Sequence, residues 1–270
     1  MSATSRRSSA TAFGNLKLPR RIKATYHFEE LGWGMKSAPL YTLQMTDVLR
    51  RIHAVERVLG AKKPRTLDAH LDNEFIWLQI RKIVELVTYA GITADEERYA
   101  ALRAETAKNP DYTQDWKVNQ ILPRLVKITP HYLPIPIDGG TRQPNGLVSF
   151  LEAGPERTLE RFLQIYNLAG SYLHITNPFS PTAAEAEQAK LVSRERAKAE
   201  LTYLKAVLWV HAKVGLEFDE KAGGPTEAAN PKTAWLVKFG VPKPNDVEVT
   251  LAEGFDSPEW ADDEPSTSTI

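Results

Sequence analysis

Two stripes of polar side chains hold most of the chemistry this sequence offers. The first lies in residues 65 to 90, RTLDAHLDNEFIWLQIRKIVELVTYA, where His70, Glu74, Arg81 and Glu85 return to one side of a helix. The second lies in residues 166 to 179, YNLAGSYLHITNPF, where Asn167, Gly170 and His174 fall along one helical stripe. An imidazole can trade protons near neutral pH, a guanidinium can hold a phosphate, and a carboxylate can orient that guanidinium. Gly170 carries a cost inside a helix, so its presence suggests close approach of a ligand or of another backbone. The residues singled out by type and spacing are therefore Arg81 and Glu85 on the first stripe and Asn167, Gly170 and His174 on the second. A purely structural account exists for each stripe. Arg81 and Glu85, four residues apart, make an ordinary intrahelical ion pair, and a histidine at a helix C-terminus is favoured by the dipole.

Several common chemistries have no foothold. The chain has no GxxxxGK[ST], GxGxxG, HExxH or GxSxG, which removes the usual phosphate loops, zinc proteases and nucleophile elbows. It has no cysteine, so disulfides, thiolate nucleophiles and cysteine metal sites are excluded. His70, Glu74 and Glu85 do not match a bundle metal site, whose pattern places histidine three residues after glutamate, whereas here His70 comes four before Glu74. No metal and no cofactor is expected.

The elements that must position these stripes are mostly helices. In residues 65 to 90 an apolar face of Phe75, Ile76, Ile80, Ile83, Val84, Leu86, Val87 and Ala90 opposes the polar stripe, and Trp77 and Leu78 flank that stripe. Gly91 is read as its end. A helix is predicted from Thr46, capped by Thr46 or Asp47 and stopping at Gly60, after an irregular aromatic segment. Thr93 and Glu96 suggest a capping box for the next helix, and a short helix over residues 115 to 127 carries Pro123, where a kink or break is expected. Residues 146 to 151 read as a short strand. Pro155 is placed as the first residue of the helix that ends near His174. A final helix of more than thirty residues is predicted over 181 to 214, and two β-leaning runs, TAWLVKFGV and DVEVTLAEG, suggest a hairpin. The expected fold is mainly α: a single bundle of about six helices with a small C-terminal β-hairpin.

Charge and composition set the outer limits. The 270 residues carry no net charge and are 42% hydrophobic, which is ordinary for a globular chain. The charge is distributed unevenly, with 13 basic against 4 acidic residues in positions 1 to 65 and 8 acids without a base in 246 to 270. The basic arm, including Arg6, Arg7, Lys17, Arg20, Arg21 and Lys23, is either a phosphate contact or a solvated tail. The organisation expected is a disordered basic tail over 1 to 15, the bundle over 16 to 218, a loop and hairpin over 219 to 254, and a disordered acidic tail over 255 to 270. No apolar run is long enough for a membrane span and no secretory signal is visible, so a cytoplasmic location without membrane contact is the expectation.

Residues RKIVE on the long helix, ADEERYA after it and LHITNPF at a later helix end resemble the HEPN class (higher eukaryotes and prokaryotes nucleotide-binding), over roughly residues 46 to 214. The resemblance implies a small helical bundle, often paired, acting as a metal-independent ribonuclease in bacterial toxin or defence systems. The class motif is an arginine followed, after four to six residues, by a histidine. His174 matches the histidine, but Asn167, Leu168 and Ala169 stand where the arginine belongs. Arg65 with His70, Arg21 with His27 and Arg124 with His131 also fit the spacing, and with about one such match expected by chance they carry little weight. The resemblance therefore implies RNA or nucleotide as partner, with His174, Arg81 and Glu85 as the catalytic candidates (His174 the general acid/base, Arg81 supplying the missing charge, Glu85 orienting it), Asn167, Gly170 and Asn177 as the nucleotide-binding candidates, and catalysis uncertain. The alternative is a non-catalytic interaction or dimerisation module, a homodimer or an antitoxin-like partner.

Overall fold

A computed structural model describes residues 12–16, 33–66, 68–106, 111–142, 148–215 and 233–253. In chain order these form β1 (Ala12–Leu16), α1 (Trp33–Leu59), α2 (Ala69–Ala94), α3 (Glu96–Thr106), a 3₁₀ turn (Tyr112–Gln114) and α4 (Val118–Ile128). Next come β2 (Ile135–Pro136), β3 (Thr141–Arg142), β4 (Val148–Leu151), α5 (Leu159–Leu173), α6 (Ala183–Leu191) and α7 (Arg194–Leu208). The chain then enters β5 (Val210–Gly215), β6 (Thr233–Phe239) and β7 (Val247–Glu253). The protein is mainly helical, with a small antiparallel sheet in its C-terminal region. No described helix is long and apolar enough to cross a membrane.

The long helix α2 is the spine. Its Ile76, Ile80, Ile83, Val84, Val87 and Ala90 are buried on one face, as their spacing requires, against Tyr41, Met45, Val48, Leu49 and Ile52 of α1 and Phe162, Ile165 and Ala169 of α5. Helix α2 does not stop at Gly91 but runs on to Ala94. A Cβ at Gly91 would stand 2.9 Å from Leu125 Cδ1 and 3.1 Å from the Tyr132 carbonyl oxygen, so the glycine admits α4 and the chain after it. Thr93, read as the start of a capping box, belongs to α2 and donates its hydroxyl to the Tyr89 carbonyl and to Gln44 Oε1.

Other boundaries differ from the sequence expectations for local reasons. Helix α1 begins at Trp33, not at Thr46, because Tyr41 and Met45 continue its buried face; the Thr46 hydroxyl donates back to the Thr42 carbonyl at 2.8 Å instead of capping. Helix α5 begins at Leu159, where the Thr158 hydroxyl accepts from the Arg161 N–H at 3.1 Å, a stronger start signal than Pro155. Helix α4 continues through Pro123 without a break. Strand β1 occupies residues at the inner end of the stretch expected to be a disordered tail, while the rest of that stretch and the acidic tail lie outside the described residues.

The predicted final helix is instead α6, α7 and β5. At the α6–α7 break Ser193 accepts from Trp77 Nε1 at 2.9 Å and donates to the Lys190 carbonyl at 2.7 Å. Asn73 Nδ2 donates to the carbonyls of Lys190 and Leu191, so α2 side chains satisfy groups that the break frees. Strand β5 lies between β2 and β6, and β7 completes the sheet on the far side of β6. The hairpin expected from TAWLVKFGV and DVEVTLAEG is β6 paired with β7, Val237 opposite Val249. Both faces of β6 are buried: Trp235, Val237 and Phe239 join the helical core, while Ala234 and Leu236 meet Ile135, Ile137, Phe150, Ala212 and Val214.

Candidate functional site

Helices α2 and α5 bring the two polar stripes to one place. Arg81 from α2 and Tyr166, Asn167, Gly170, Ser171 and His174 from α5 line an open cleft of about 400 Å³, with Trp116, Lys117 and Asn119 along another side. The sharing of one wall by residues 167, 170, 171 and 174 follows from the helical period. His174 stands at the C-cap of α5, where its N–H bonds the Gly170 carbonyl at 3.2 Å and its side chain is exposed. The His174 carbonyl accepts from Lys190 Nζ at 2.6 Å, which ties the end of α5 to α6.

Arg81 is held from two sides. Its Nε meets Glu85 Oε1 at 3.1 Å, and its Nη2 donates to the Tyr166 hydroxyl at 2.7 Å, with Cζ 4.4 Å from the Tyr166 ring centroid. The remaining terminal nitrogen, Nη1, lies 3.0 Å from where a Cβ on Gly170 would be. The glycine thus leaves room for the guanidinium at the cleft wall. Glu85 does not line the cleft; it sits behind Arg81 and also accepts from Lys82 Nζ at 2.8 Å. Two cations of the glutamate's own helix therefore share one carboxylate, and the group of three keeps a net positive charge.

Asn119 Nδ2 donates to Asn167 Oδ1 at 3.1 Å, which turns the Asn167 amide nitrogen into its free donor. Ser171 donates its hydroxyl to the Leu168 carbonyl within its own helix. No described carboxylate lines the cleft, whereas Arg81 and Lys117 do. Such a concave site with guanidinium, ammonium, amide and imidazole groups suits an anion, and a phosphate above all.

Asn177 stands apart from this set. Its Oδ1 accepts from the Phe179 N–H at 3.0 Å and its carbonyl from the Ser180 N–H at 3.0 Å, which makes it the first residue of a turn. Its nucleotide-binding assignment is not carried by this geometry. His70 Nε2 meets Glu74 Oε1 at 3.2 Å, so those two residues of the α2 stripe pair with each other. Of the other arginine and histidine pairs, Arg124 turns to Asp115 at 3.1 Å, and His131 is partly enclosed, with burial and then Lys213 and Arg157 pushing its pKa down to about 4. Arg21 and His27 lie outside the described residues.

Trp116, Lys117, Asn119, Tyr166 and Ser171 were not singled out from the sequence. Trp116 and Tyr166 read as apolar positions of their helices, and only the adjacency of an aromatic and a cation in QDWK, at a helix start, could have marked that wall. Comparison with protein-family models, with curated proteins and with solved structures finds no match to this chain.

Proposed function

We propose that the cleft between α2 and α5 binds RNA or a nucleotide through its phosphate groups. The observation that carries this reading is the convergence of Arg81, Lys117, Asn167 and His174 on one open cleft that no described carboxylate lines. Arg81 supplies the charge that an arginine would give in the HEPN motif, where this chain has Asn167. The role drawn for His174 is to give or take a proton at an RNA 2′-hydroxyl or phosphate, with Glu85 holding Arg81 in register. Binding takes precedence over catalysis, because no described carboxylate stands in the lining to complete an acid/base set with His174. A ribonuclease of bacterial toxin or defence systems is the catalytic form of the same proposal.

The test is fluorescence anisotropy with a labelled single-stranded RNA, over a range of salt, alongside a gel assay for cleavage. Arg81→Ala is expected to weaken binding about tenfold, in line with the loss of a charge-assisted contact, and to flatten the salt dependence. His174→Ala is expected to abolish any cleavage while leaving most of the binding. Parent protein that binds no RNA or nucleotide at low salt would contradict the reading.

One observation favours a second reading, a protein-interaction or dimerisation module. Ile175 and Phe179, in the segment just beyond His174, are 96% and 92% exposed, and apolar side chains so fully in water are common at contact surfaces. Under that reading Phe179→Asp converts an associating protein to a monomer in light scattering and leaves RNA affinity untouched.

A further inference from the structure

The geometry points to Trp116 as a stacking platform for an unpaired nucleobase, so that the cleft takes a base together with its phosphate and not a phosphate alone. This rests on the phosphate-binding reading of the same cleft. Trp116 is 62% exposed, an unusual position for so large an aromatic ring, yet it lines the cleft that holds Arg81 and Lys117.

The chain on either side of it is fixed. The Asp115 carboxylate accepts from the Tyr99 hydroxyl at 2.7 Å and pairs with Arg103 Nε at 2.8 Å and Arg124 Nη1 at 3.1 Å, and its backbone N–H donates to the Tyr112 carbonyl at 3.0 Å. Burial, and then the bond to Asp115, push the Tyr99 phenol up to about 12, so it remains a donor across the physiological range. On the other side the Lys117 carbonyl accepts from the N–H groups of Gln120 and Ile121 at 2.8 and 3.0 Å, which starts α4. The main chain that carries the tryptophan is thus held on both sides before any flat ligand lands on the ring.

Lys117 Nζ stands 5.0 Å from the Trp116 ring centroid, so a cation accompanies the aromatic surface. Aromatic rings interleaved with cations are the arrangement by which single-stranded nucleic acid is held without sequence readout. The cleft volume of about 400 Å³ lies within the range of small-molecule sites. A paired base has both faces covered by its neighbours, so the ligand class is single-stranded RNA or a free nucleotide.

The experiment compares three probes on the full chain by anisotropy or competition: a labelled oligoadenylate, an abasic oligomer with the same number of phosphates, and adenosine monophosphate. Trp116→Ala is expected to weaken oligoadenylate binding about tenfold, to leave the abasic oligomer unchanged, and to melt at the parent's temperature, while Trp116→Phe keeps most of the affinity. Competition by the monophosphate as tight as the oligomer assigns the site to a mononucleotide, and weaker competition assigns it to a strand; either supports the platform where Trp116→Ala loses it. Equal binding of oligoadenylate by parent and Trp116→Ala overturns the inference and leaves the phosphate reading standing. So does parent protein that binds the abasic oligomer as tightly as the oligoadenylate. Parent protein that binds none of the three overturns both.

Discussion

Gly170 is where the cleft and the stability of the fold can be separated. A methyl group there would meet Arg81 Nη1 at 3.0 Å, and Arg81 is also committed to Glu85 and Tyr166, so the guanidinium has to move. Alanine is the better helix former by about 1 kcal/mol, which works in the opposite direction on stability. Gly170→Ala is therefore expected to hold or raise the melting temperature while weakening RNA binding several-fold; a variant that binds as the parent does would detach Gly170 from the site. Arg81, Asn167, Gly170 and His174 were legible from the sequence because the helical period alone put three of them on one stripe and left Arg81 as the polar face opposite. Asn177 lies outside the cleft lining, and the sequence does not show this because an Asn before Pro reads the same whether it contacts a ligand or closes its own turn. Trp116 and Lys117 were hidden because the neighbour that makes them one wall with α5 lies far along the chain.

Strand β5 carries the main difference between expected and observed elements. Val210, Ala212 and Val214 alternate with His211 and Lys213, and in water that pattern would put the polar pair outside. Here both are fully buried. His211 Nε2 is 2.9 Å from the Tyr41 hydroxyl and its Nδ1 is 2.8 Å from the Leu208 carbonyl oxygen, and burial pushes its pKa down to about 4. Lys213 Nζ donates to the His131 carbonyl at 2.6 Å and faces Asp95 Oδ2 at 3.6 Å, while burial pulls its pKa below the usual lysine range. Good helix formers upstream with no glycine or proline to stop them favoured one long helix on local grounds, and only tertiary partners reveal the strand. Lys213→Met removes one member of a buried ion pair, and it is expected to cost about 3 kcal/mol in chemical denaturation. An unchanged denaturation midpoint would mean that the pair contributes nothing to the sheet's attachment.

At the scale of the whole molecule, α2 joins the two parts of the account. One face of it supplies the core, and the other presents Arg81 to α5 while Asn73 and Trp77 hold the α6–α7 break. The bundle was readable because apolar periodicity survives any tertiary arrangement, whereas the sheet needed pairings across long separations in sequence. The central claim, that this one cleft receives RNA or nucleotide, is tested most directly by photocrosslinking. Thiouridine-substituted single-stranded RNA is irradiated with the full chain and the attached peptides are read by mass spectrometry. The expected crosslinks fall on the segments holding Trp116 to Asn119 and Tyr166 to His174, and they fade in Arg81→Ala. Crosslinks confined to other surfaces, or none at an RNA concentration that saturates binding, would contradict the claim.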